Sequence, residues 1–221
     1  MTIFDIMGPV MIGPSSSHTA GAARLGRIAR RLLGCAPARA ELLLHGSFAA
    51  TGSGHGTDKA LAVGLLDMAP DDPRLPNSFA LAQEAGMELI LGRVNLQGAH
   101  PNTVLFRLTA PDGHSVEVRG ASLGGGRVRV EAIDGLEAAF SGDLPTLIIR
   151  NEDKPGQVAE VAGVLSRQRV NIATMQLYRD MRGGLAVMVI ESDQPIHAAA
   201  IGELRALEGI VRVTYLDMTE V

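Results

Sequence analysis

The chain has 221 residues, with 20 basic and 24 acidic side chains and a formal net charge of −4. A hydrophobic fraction of 46% is enough to build a core, which excludes global disorder, and the mild negative charge argues against a broad nucleic-acid-binding surface. Because the chain has neither an apolar run of the roughly 18 residues that a membrane span needs nor a basic segment typical of a secretory signal, we expect a cytoplasmic protein that binds neither membrane nor nucleic acid.

A serine-rich turn and a helix open the first predicted unit. The turn at 15–17 precedes a helix from about His18 to Leu33, and Gly34 stands where a helix-terminating glycine belongs. The apolar residues of one expected buried face recur along this helix with +3/+4 spacing: Leu25, Ile28 and Leu32.

The next predicted elements alternate between strand, loop and helix. A short apolar strand at 40–44 leads into a glycine-rich loop at 51–57. A helix at 58–68 and a further helical stretch at 79–85 follow this loop.

Beyond residue 86 the hydrophobic period changes to two, which is typical of strands. Four segments are predicted to form antiparallel strands, at 87–96, 103–109, 115–119 and 127–133. A hairpin turn is expected at 110–113 and a linker at 140–145. These elements predict an α+β domain over residues 1–145.

The rest of the chain, residues 146–221, has the pattern of a ferredoxin-like βαββαβ domain. Its predicted elements, in chain order, are 146–150, 157–168, 171–179, 185–192, 196–207 and 210–216. The fold class expected for the whole chain is therefore α+β, in two domains.

The single cysteine and the scarcity of lysine limit the chemistry that the chain can carry out alone. Cys35 cannot form an internal disulfide, and it cannot hold an iron–sulfur cluster, which about four thiolates normally bind. A Schiff base with pyridoxal phosphate would have to use Lys59 or Lys154, and neither is well suited, because one lies early in a helix and the other in an exposed turn.

Three histidines lie among small or turn-forming residues, where a ligand can approach closely: His18, His55 and His100. His55 is a candidate general acid or base, because an imidazole titrates near roughly pH 6.5. The alternative is that its glycine-rich loop is purely structural, since the loop matches neither the dinucleotide-binding nor the P-loop pattern. A metal site shared by the three is not expected, because no two of them have the i, i+4 spacing of a helical metal motif.

The remaining histidines are interpreted as structural or solvated: His45, His114 and His197. His100, with Pro101 and Asn102, offers an imidazole and an amide next to a stiff proline, and a plain loop between strands is the alternative.

Two turns before predicted helices are candidate anion sites. The three hydroxyls of residues 15–17 and the free N–H groups of a helix start suit a carboxylate, although an ordinary serine cap explains one of them. The turn from Asn151 to Gly156 opens the first helix of the second domain, and it is either a capping turn or a pocket for an amino-acid carboxylate.

These motifs carry a family resemblance. Residues 13–19 read Gly-Pro-Ser-Ser-Ser-His-Thr, residues 52–57 read Gly-Ser-Gly-His-Gly-Thr, and residues 100–102 read His-Pro-Asn. With them the front of the chain resembles the β chain of bacterial iron–sulfur-dependent L-serine dehydratase, whose β part resembles the allosteric-substrate-binding domain of some 3-phosphoglycerate dehydrogenases. The tail, with Asp-Lys-Pro-Gly at 153–156, resembles an ACT domain, an amino-acid-sensing module.

The resemblance implies a subunit of an enzyme that converts L-serine to pyruvate and ammonia without pyridoxal phosphate. The 4Fe–4S cluster, whose open iron polarises the serine hydroxyl, is then expected from an α subunit. The implied catalytic candidates are His55, first as the base, and His18. The implied substrate-binding or anion-binding residues are Ser15, Ser16, Ser17, His100 and Asn102.

For the ACT domain the resemblance implies self-association by extension of its sheet, with ligand pockets at the dimer interface. Asn151, Gly156 and Asn171 are the implied pocket residues.

Two other functions stay open from the sequence. The first is a non-catalytic amino-acid sensor that regulates a different enzyme, which the tail alone fits equally well. The second is a hydrolase that uses Ser17 and His18, which is disfavoured because adjacent residues rarely give the geometry of a nucleophile and its base. The sequence does not decide between serine and threonine as the better substrate.

Overall fold

The computed structural model describes residues 10–218 of the chain, apart from the side chain of Ser53. Contacts divide the chain into two compact units, the first ending at Asp134 and the second beginning at Gly135. The domain ranges expected from the sequence, 1–145 and 146–221, stay a prediction. Within the described residues, no helix is long and apolar enough to cross a membrane.

The first unit is an α+β structure. Its helices are a π-helical turn Ser16–Ala20, α1 (Gly21–Leu33), α2 (Gly46–His55), α3 (Thr57–Leu65), a 3-10 turn Leu75–Asn77 and α4 (Ser78–Glu84). Its strands are β1 (Arg39–Leu44), β2 (Glu88–Arg93), β3 (Thr103–Thr109), β4 (Ser115–Gly124) and β5 (Arg127–Ile133). The strands neighbour one another in the order β2-β1-β3-β4-β5.

Helix α1 confirms the prediction made from its apolar spacing. Leu25, Ile28 and Leu32 are all buried. Gly34 ends the helix in the left-handed conformation (φ 95°), and its N–H donates to the carbonyl of Arg30 over 3.0 Å.

Helices α1 and α3 approach each other at two glycines. A Cβ atom built on Gly64 would lie 2.0 Å from the carbonyl oxygen of Ala23, and one built on Gly26 would lie 2.4 Å from that of Leu61. Any side chain at these positions would push the two helices apart. The glycines therefore set the distance between α3 and the helix that follows the serine turn.

The prediction of a glycine-rich loop at 51–57 is wrong. Residues Thr51 to His55 continue helix α2, and Gly56 alone, in the left-handed conformation (φ 70°), separates α2 from α3. Glycine has a low helix propensity, but tertiary contacts override it here. Phe48 is fully buried, and the N–H of Ser47 donates to the carbonyl of Pro101 over 2.7 Å, which caps the start of α2.

Two further expectations about the strands differ from the structure. Strand β2 is parallel to β1, not antiparallel, because three helices connect the two and return the chain to the same end of the sheet. A strand β6 (Leu136–Phe140) lies directly before the expected linker. The hairpin at 110–113 is confirmed, since β3 and β4 pair antiparallel across it.

The second unit contains β6 and the predicted ferredoxin-like pattern. Its remaining elements are β7 (Thr146–Glu152), α5 (Gln157–Arg167), β8 (Ile172–Arg179), β9 (Leu185–Ser192), α6 (Ala198–Arg205) and β10 (Ile210–Leu216). The sheet order β10-β7-β9-β8 confirms the βαββαβ prediction. Residues from both helices and the sheet, among them Val164, Ile190 and Leu204, form its core.

Candidate functional site

His18 lies in the π-helical turn that precedes α1. Ser15 caps this turn, because its Oγ accepts a hydrogen bond from the His18 N–H over 3.4 Å and its carbonyl accepts one from the Thr19 N–H over 2.8 Å. His18 is only 8% exposed. The imidazole that the sequence predicts to be open to close approach by a ligand is therefore largely buried.

Serine hydroxyls surround one nitrogen of this imidazole. His18 Nδ1 lies 3.1 Å from Ser17 Oγ and 3.3 Å from Ser15 Oγ, and the two hydroxyl oxygens are 3.2 Å apart. The serine turn and the histidine thus form one hydrogen-bonded group, as their adjacency in the sequence suggested.

Helix α2 supplies the partners of the other nitrogen. His18 Nε2 lies 3.1 Å from Thr51 Oγ1 and 3.2 Å from Ser47 Oγ, two side chains one helical turn apart. The sequence analysis missed both residues because it placed Thr51 in a loop. Their i, i+4 spacing on a helix is the signal that identifies them once α2 is recognised.

The two catalytic candidates from the sequence lie next to each other. The ring of His55 stands edge-on to that of His18, with centroids 5.1 Å apart at 82°, and Phe48 packs on His18 with centroids 5.2 Å apart. Burial, and to a smaller extent the nearby charge of His55, lower the pKa of His18 from its usual value of 6.5. His55 itself is exposed at the last residue of α2. The arrangement therefore combines a buried neutral imidazole with an accessible one.

Ser16 makes a different contact from its two neighbours. Its Oγ accepts a hydrogen bond from the backbone N–H of Gly125 over 3.2 Å. Gly125 lies in the turn between β4 and β5, where residues 124–126 are all glycines with positive φ. The three serines therefore differ in their hydrogen-bond partners although they are consecutive.

The turn at residues 100–102 supports α2. The Pro101 carbonyl caps this helix, the N–H of Asn102 donates to His100 Nδ1 over 3.1 Å, and Asn102 Nδ2 donates to the carbonyl of Ser122 over 3.4 Å. His100 and Asn102 are thus connected to His18 through the helix that carries Ser47 and Thr51.

In the second unit, the pocket residues expected from the sequence lie at different places. Asn151 is in strand β7 rather than in a turn, and it is 1% exposed. Its Nδ2 donates to the carbonyl of Glu152 over 2.7 Å, while its Oδ1 is buried without a hydrogen-bond partner among the described residues. Gly156 precedes α5 in the left-handed conformation (φ 97°).

Asn171 lies at the other end of the sheet. Its side chain bonds to Asp193, just beyond the end of β9, whereas Asn151 pairs with Ala186 near the start of β9. Six strand residues separate these ends, which is about 20 Å at roughly 3.3 Å per residue. One copy of the chain therefore does not bring Asn171 together with Asn151 and Gly156.

Asp153 holds the turn between Asn151 and Gly156 against the hairpin that follows β8. Its Oδ2 accepts from the N–H of Gly183 over 2.9 Å and from Arg179 Nη1 over 3.2 Å. These two bonds lower the pKa of the Asp153 carboxyl from its usual value of 3.8. Asp153 belongs to the Asp-Lys-Pro-Gly motif, and nothing in its local sequence predicts this role.

Two family models match the chain. The model described as "Serine dehydratase beta chain" matches residues 2–76, which contain the serine turn and helix α2, and the ACT domain model matches residues 145–209.

Curated relatives match over almost the full length. A probable L-serine dehydratase β chain from Bacillus subtilis is 42% identical, over 96% of both chains, and an L-serine dehydratase β chain from Peptoniphilus asaccharolyticus is 34% identical, over 97% of both. A D-3-phosphoglycerate dehydrogenase from Archaeoglobus fulgidus is 26% identical over 89% of this chain and 37% of its own length.

Proposed function

Because the chain belongs to the serine dehydratase β-chain family, we propose that it is the β subunit of an L-serine ammonia-lyase and that it acts together with an α chain. The names of the two full-length relatives supply the substrate and, through the words "beta chain", the partner. The observation that carries the proposal is the contact between His18 and His55 next to the serine turn, inside the segment that matches the family.

His55 is the proposed base. It is exposed at the end of α2, whereas His18 is buried, so a substrate in the complex reaches His55 first. Deamination of serine begins with loss of the α-proton and of the hydroxyl group as water, and the resulting aminoacrylate tautomerises and hydrolyses to pyruvate and ammonia. In this scheme His55 takes the α-proton, which then leaves with the departing hydroxyl group as water, so that the base is regenerated. His18 holds the hydroxyls of Ser15 and Ser17 in place.

The serine turn is the proposed binding site for the substrate's charged groups. Ser15, Ser16 and Ser17 are half-buried, so part of each residue faces solvent. The proposed role of His100 and Asn102 is to support α2, because the turn that contains them caps that helix.

The iron–sulfur cluster that the resemblance implies does not fit this chain. It has one cysteine, Cys35, where such a cluster needs about four thiolates, and within residues 10–218 no three His, Cys, Asp or Glu side chains are grouped to hold a metal ion. We therefore assign the cluster to the α chain.

The second unit is proposed to sense amino acids as a pair of copies. Strand β8 forms one edge of the sheet, and a two-fold axis beside it would place Asn171 of one copy near Asn151 and Gly156 of the other. The buried Oδ1 of Asn151, which has no hydrogen-bond partner within residues 10–218, supports a ligand that carries a hydrogen-bond donor, such as an ammonium group.

Reconstitution tests this proposal. Anaerobic co-expression with the α chain should give a complex that forms pyruvate from serine, while neither chain does so alone. A complex that binds amino acids without turning serine over would instead support the non-catalytic sensor, and turnover by the isolated β chain would contradict the two-subunit proposal.

A further inference from the structure

The hydroxyl of Thr51 has its single hydrogen already committed. It donates to the carbonyl of Ser47, one turn back in α2, over 2.8 Å. A threonine hydroxyl has one hydrogen and two lone pairs, so Thr51 Oγ1 meets His18 Nε2, 3.1 Å away, as an acceptor. Ser47 Oγ, 3.2 Å from the same nitrogen, can accept as well as donate. A ring proton on Nε2 therefore satisfies both contacts, whereas a lone pair on Nε2 would face the lone pairs of Thr51 Oγ1.

This assignment fixes the opposite side of the imidazole. With the proton on Nε2, Nδ1 carries a lone pair and accepts from a serine hydroxyl, of which Ser17 is the nearer at 3.1 Å. The hydrogen of Ser17 then points at the ring. Its oxygen has two lone pairs, of which the Ser15 hydroxyl, 3.2 Å away, can use one, and the other is left to accept. Ser16 is the reverse case: its oxygen accepts from the Gly125 N–H, and among the described residues no acceptor takes its own hydrogen, so it can donate.

We propose that Thr51 is a positioning residue that fixes the Nε2–H tautomer of His18 and thereby makes Ser17 an acceptor and Ser16 a donor toward the substrate. The inference deepens the proposed function and, for its substrate part, rests on it. A donor hydroxyl suits the carboxylate of an amino acid, and an acceptor hydroxyl suits its ammonium group. Two adjacent serines would thus recognise the two charged groups of a zwitterion.

The tautomer can be measured in the full chain without any partner. Long-range ¹H–¹⁵N correlation spectra of ¹⁵N-histidine-labelled protein at pH 7.5 should show His18 Nδ1 as unprotonated and Nε2 as protonated. We expect the same pattern in Thr51→Ser, which keeps the hydroxyl, and in Ser47→Ala, which keeps the backbone carbonyl that Thr51 uses. Thr51→Val should give a mixed or reversed pattern. A protonated Nδ1 in the unmodified chain, or an unchanged tautomer in Thr51→Val, would overturn the inference.

The complex with the α chain tests the consequence for the substrate. Thr51→Val should lower kcat/KM for serine at least 10-fold, and Thr51→Ser should recover most of it. If the spectra behave as expected but kcat/KM of Thr51→Val equals that of the unmodified complex, the positioning role is refuted. If the unmodified complex does not deaminate serine, the proposed function fails, while the tautomer result still stands on its own.

Discussion

The two units differ in how completely one copy of the chain assembles a site. In the first unit, the turn at 15–17, helix α2 and the turn between β4 and β5 converge on or beside His18 within a single copy. In the second unit, Asn151 and Asn171 lie at opposite ends of the same sheet. A site built from long-range contacts inside one chain is complete on folding, whereas a site divided between sheet ends needs a second molecule.

The largest expected effect tests the first unit's site. His55→Ala in the αβ complex should lower kcat for serine by about 10²- to 10⁴-fold, because a general base contributes that much. His197→Ala is the matched control, since His197 is an exposed histidine whose side chain makes no capping hydrogen bond at the start of α6. The kcat of the His197→Ala complex should be unchanged. Near-normal turnover of His55→Ala at saturating serine would remove His55 from the base role.

A pair of glycine substitutions compares how tightly the two units are packed. Gly64→Ala should lower the free energy of unfolding by about 1–3 kcal/mol, because the added Cβ would meet the Ala23 carbonyl at 2.0 Å. Gly202→Ala, in α6 of the second unit, should raise it by about 0.5–1 kcal/mol, because its Cβ meets nothing within 4 Å and alanine favours a helix. Urea denaturation followed by circular dichroism measures both, and a stable Gly64→Ala protein would contradict the close helix crossing.

A change at the edge of the second unit's sheet tests whether its pocket needs two copies. Leu177, on edge strand β8, is 48% exposed, and Leu177→Lys should oppose edge-to-edge pairing. We expect at least 10-fold weaker self-association in analytical ultracentrifugation, together with loss of the heat of L-serine binding in calorimetry. Serine binding that survives in a monomeric Leu177→Lys protein would show that one copy suffices.

Calorimetric titration of Asn151→Ala addresses the same pocket at a single residue. Asn151 is buried, and its Oδ1 has no hydrogen-bond partner in the part of the chain that the structure describes. Loss of this side chain should therefore weaken L-serine binding by about 1–3 kcal/mol, the usual effect of removing a buried polar partner. Sedimentation of the same variant is the control, and it should show unchanged self-association. Unchanged serine affinity would place the ligand elsewhere.

The smallest expected effects concern the pH dependence of stability, which involves one residue in each unit. The pKa of His18 is lower in the folded chain than its usual value of 6.5, so the unfolded chain binds a proton more readily and stability should fall as pH drops below about 6.5. The pKa of Asp153 is also lowered, from 3.8, so its contribution is present above that pH and is lost as pH falls through the lowered value.

Denaturation at a series of pH values measures how steeply the free energy of unfolding depends on pH. This dependence should be weaker below pH 6.5 for His18→Asn and weaker below about pH 4 for Asp153→Asn. A slope unchanged in His18→Asn would mean that His18 titrates alike in the folded and unfolded chain.

The sequence predicted the second unit well because its pattern is local. Each strand and helix of the βαββαβ unit has its own hydrophobic period, and the helix ends follow from residues such as Gly156. The first unit was predicted less well where a distant contact decides the structure. Three of the five residues at 52–56 are glycines, yet residues 46–55 form helix α2. This segment becomes helical through Phe48 burial and the Pro101 cap, neither of which a local pattern reveals.

The same contrast applies to the site. His18 and its serines are neighbours in the sequence, so their association was predictable. Thr51 contacts His18 from 33 positions away, on a helix that was not predicted, and no periodicity points to it. The parallel pairing of β2 with β1 likewise depends on a crossover through three helices rather than on the strand's own residues.

The close approach at Gly46 makes the His18 cluster sensitive to a position that does not touch it. A Cβ atom at residue 46 (φ 55°) would lie 2.6 Å from the Pro101 carbonyl oxygen, the atom that caps α2. Any larger residue there would displace the start of α2. Because α2 is a continuous helix of ten residues, Thr51 and His55 would move with it. The relative position of the two imidazoles thus depends on the absence of a Cβ atom at residue 46. An alanine there would shift one imidazole relative to the other, although residue 46 contacts neither of them.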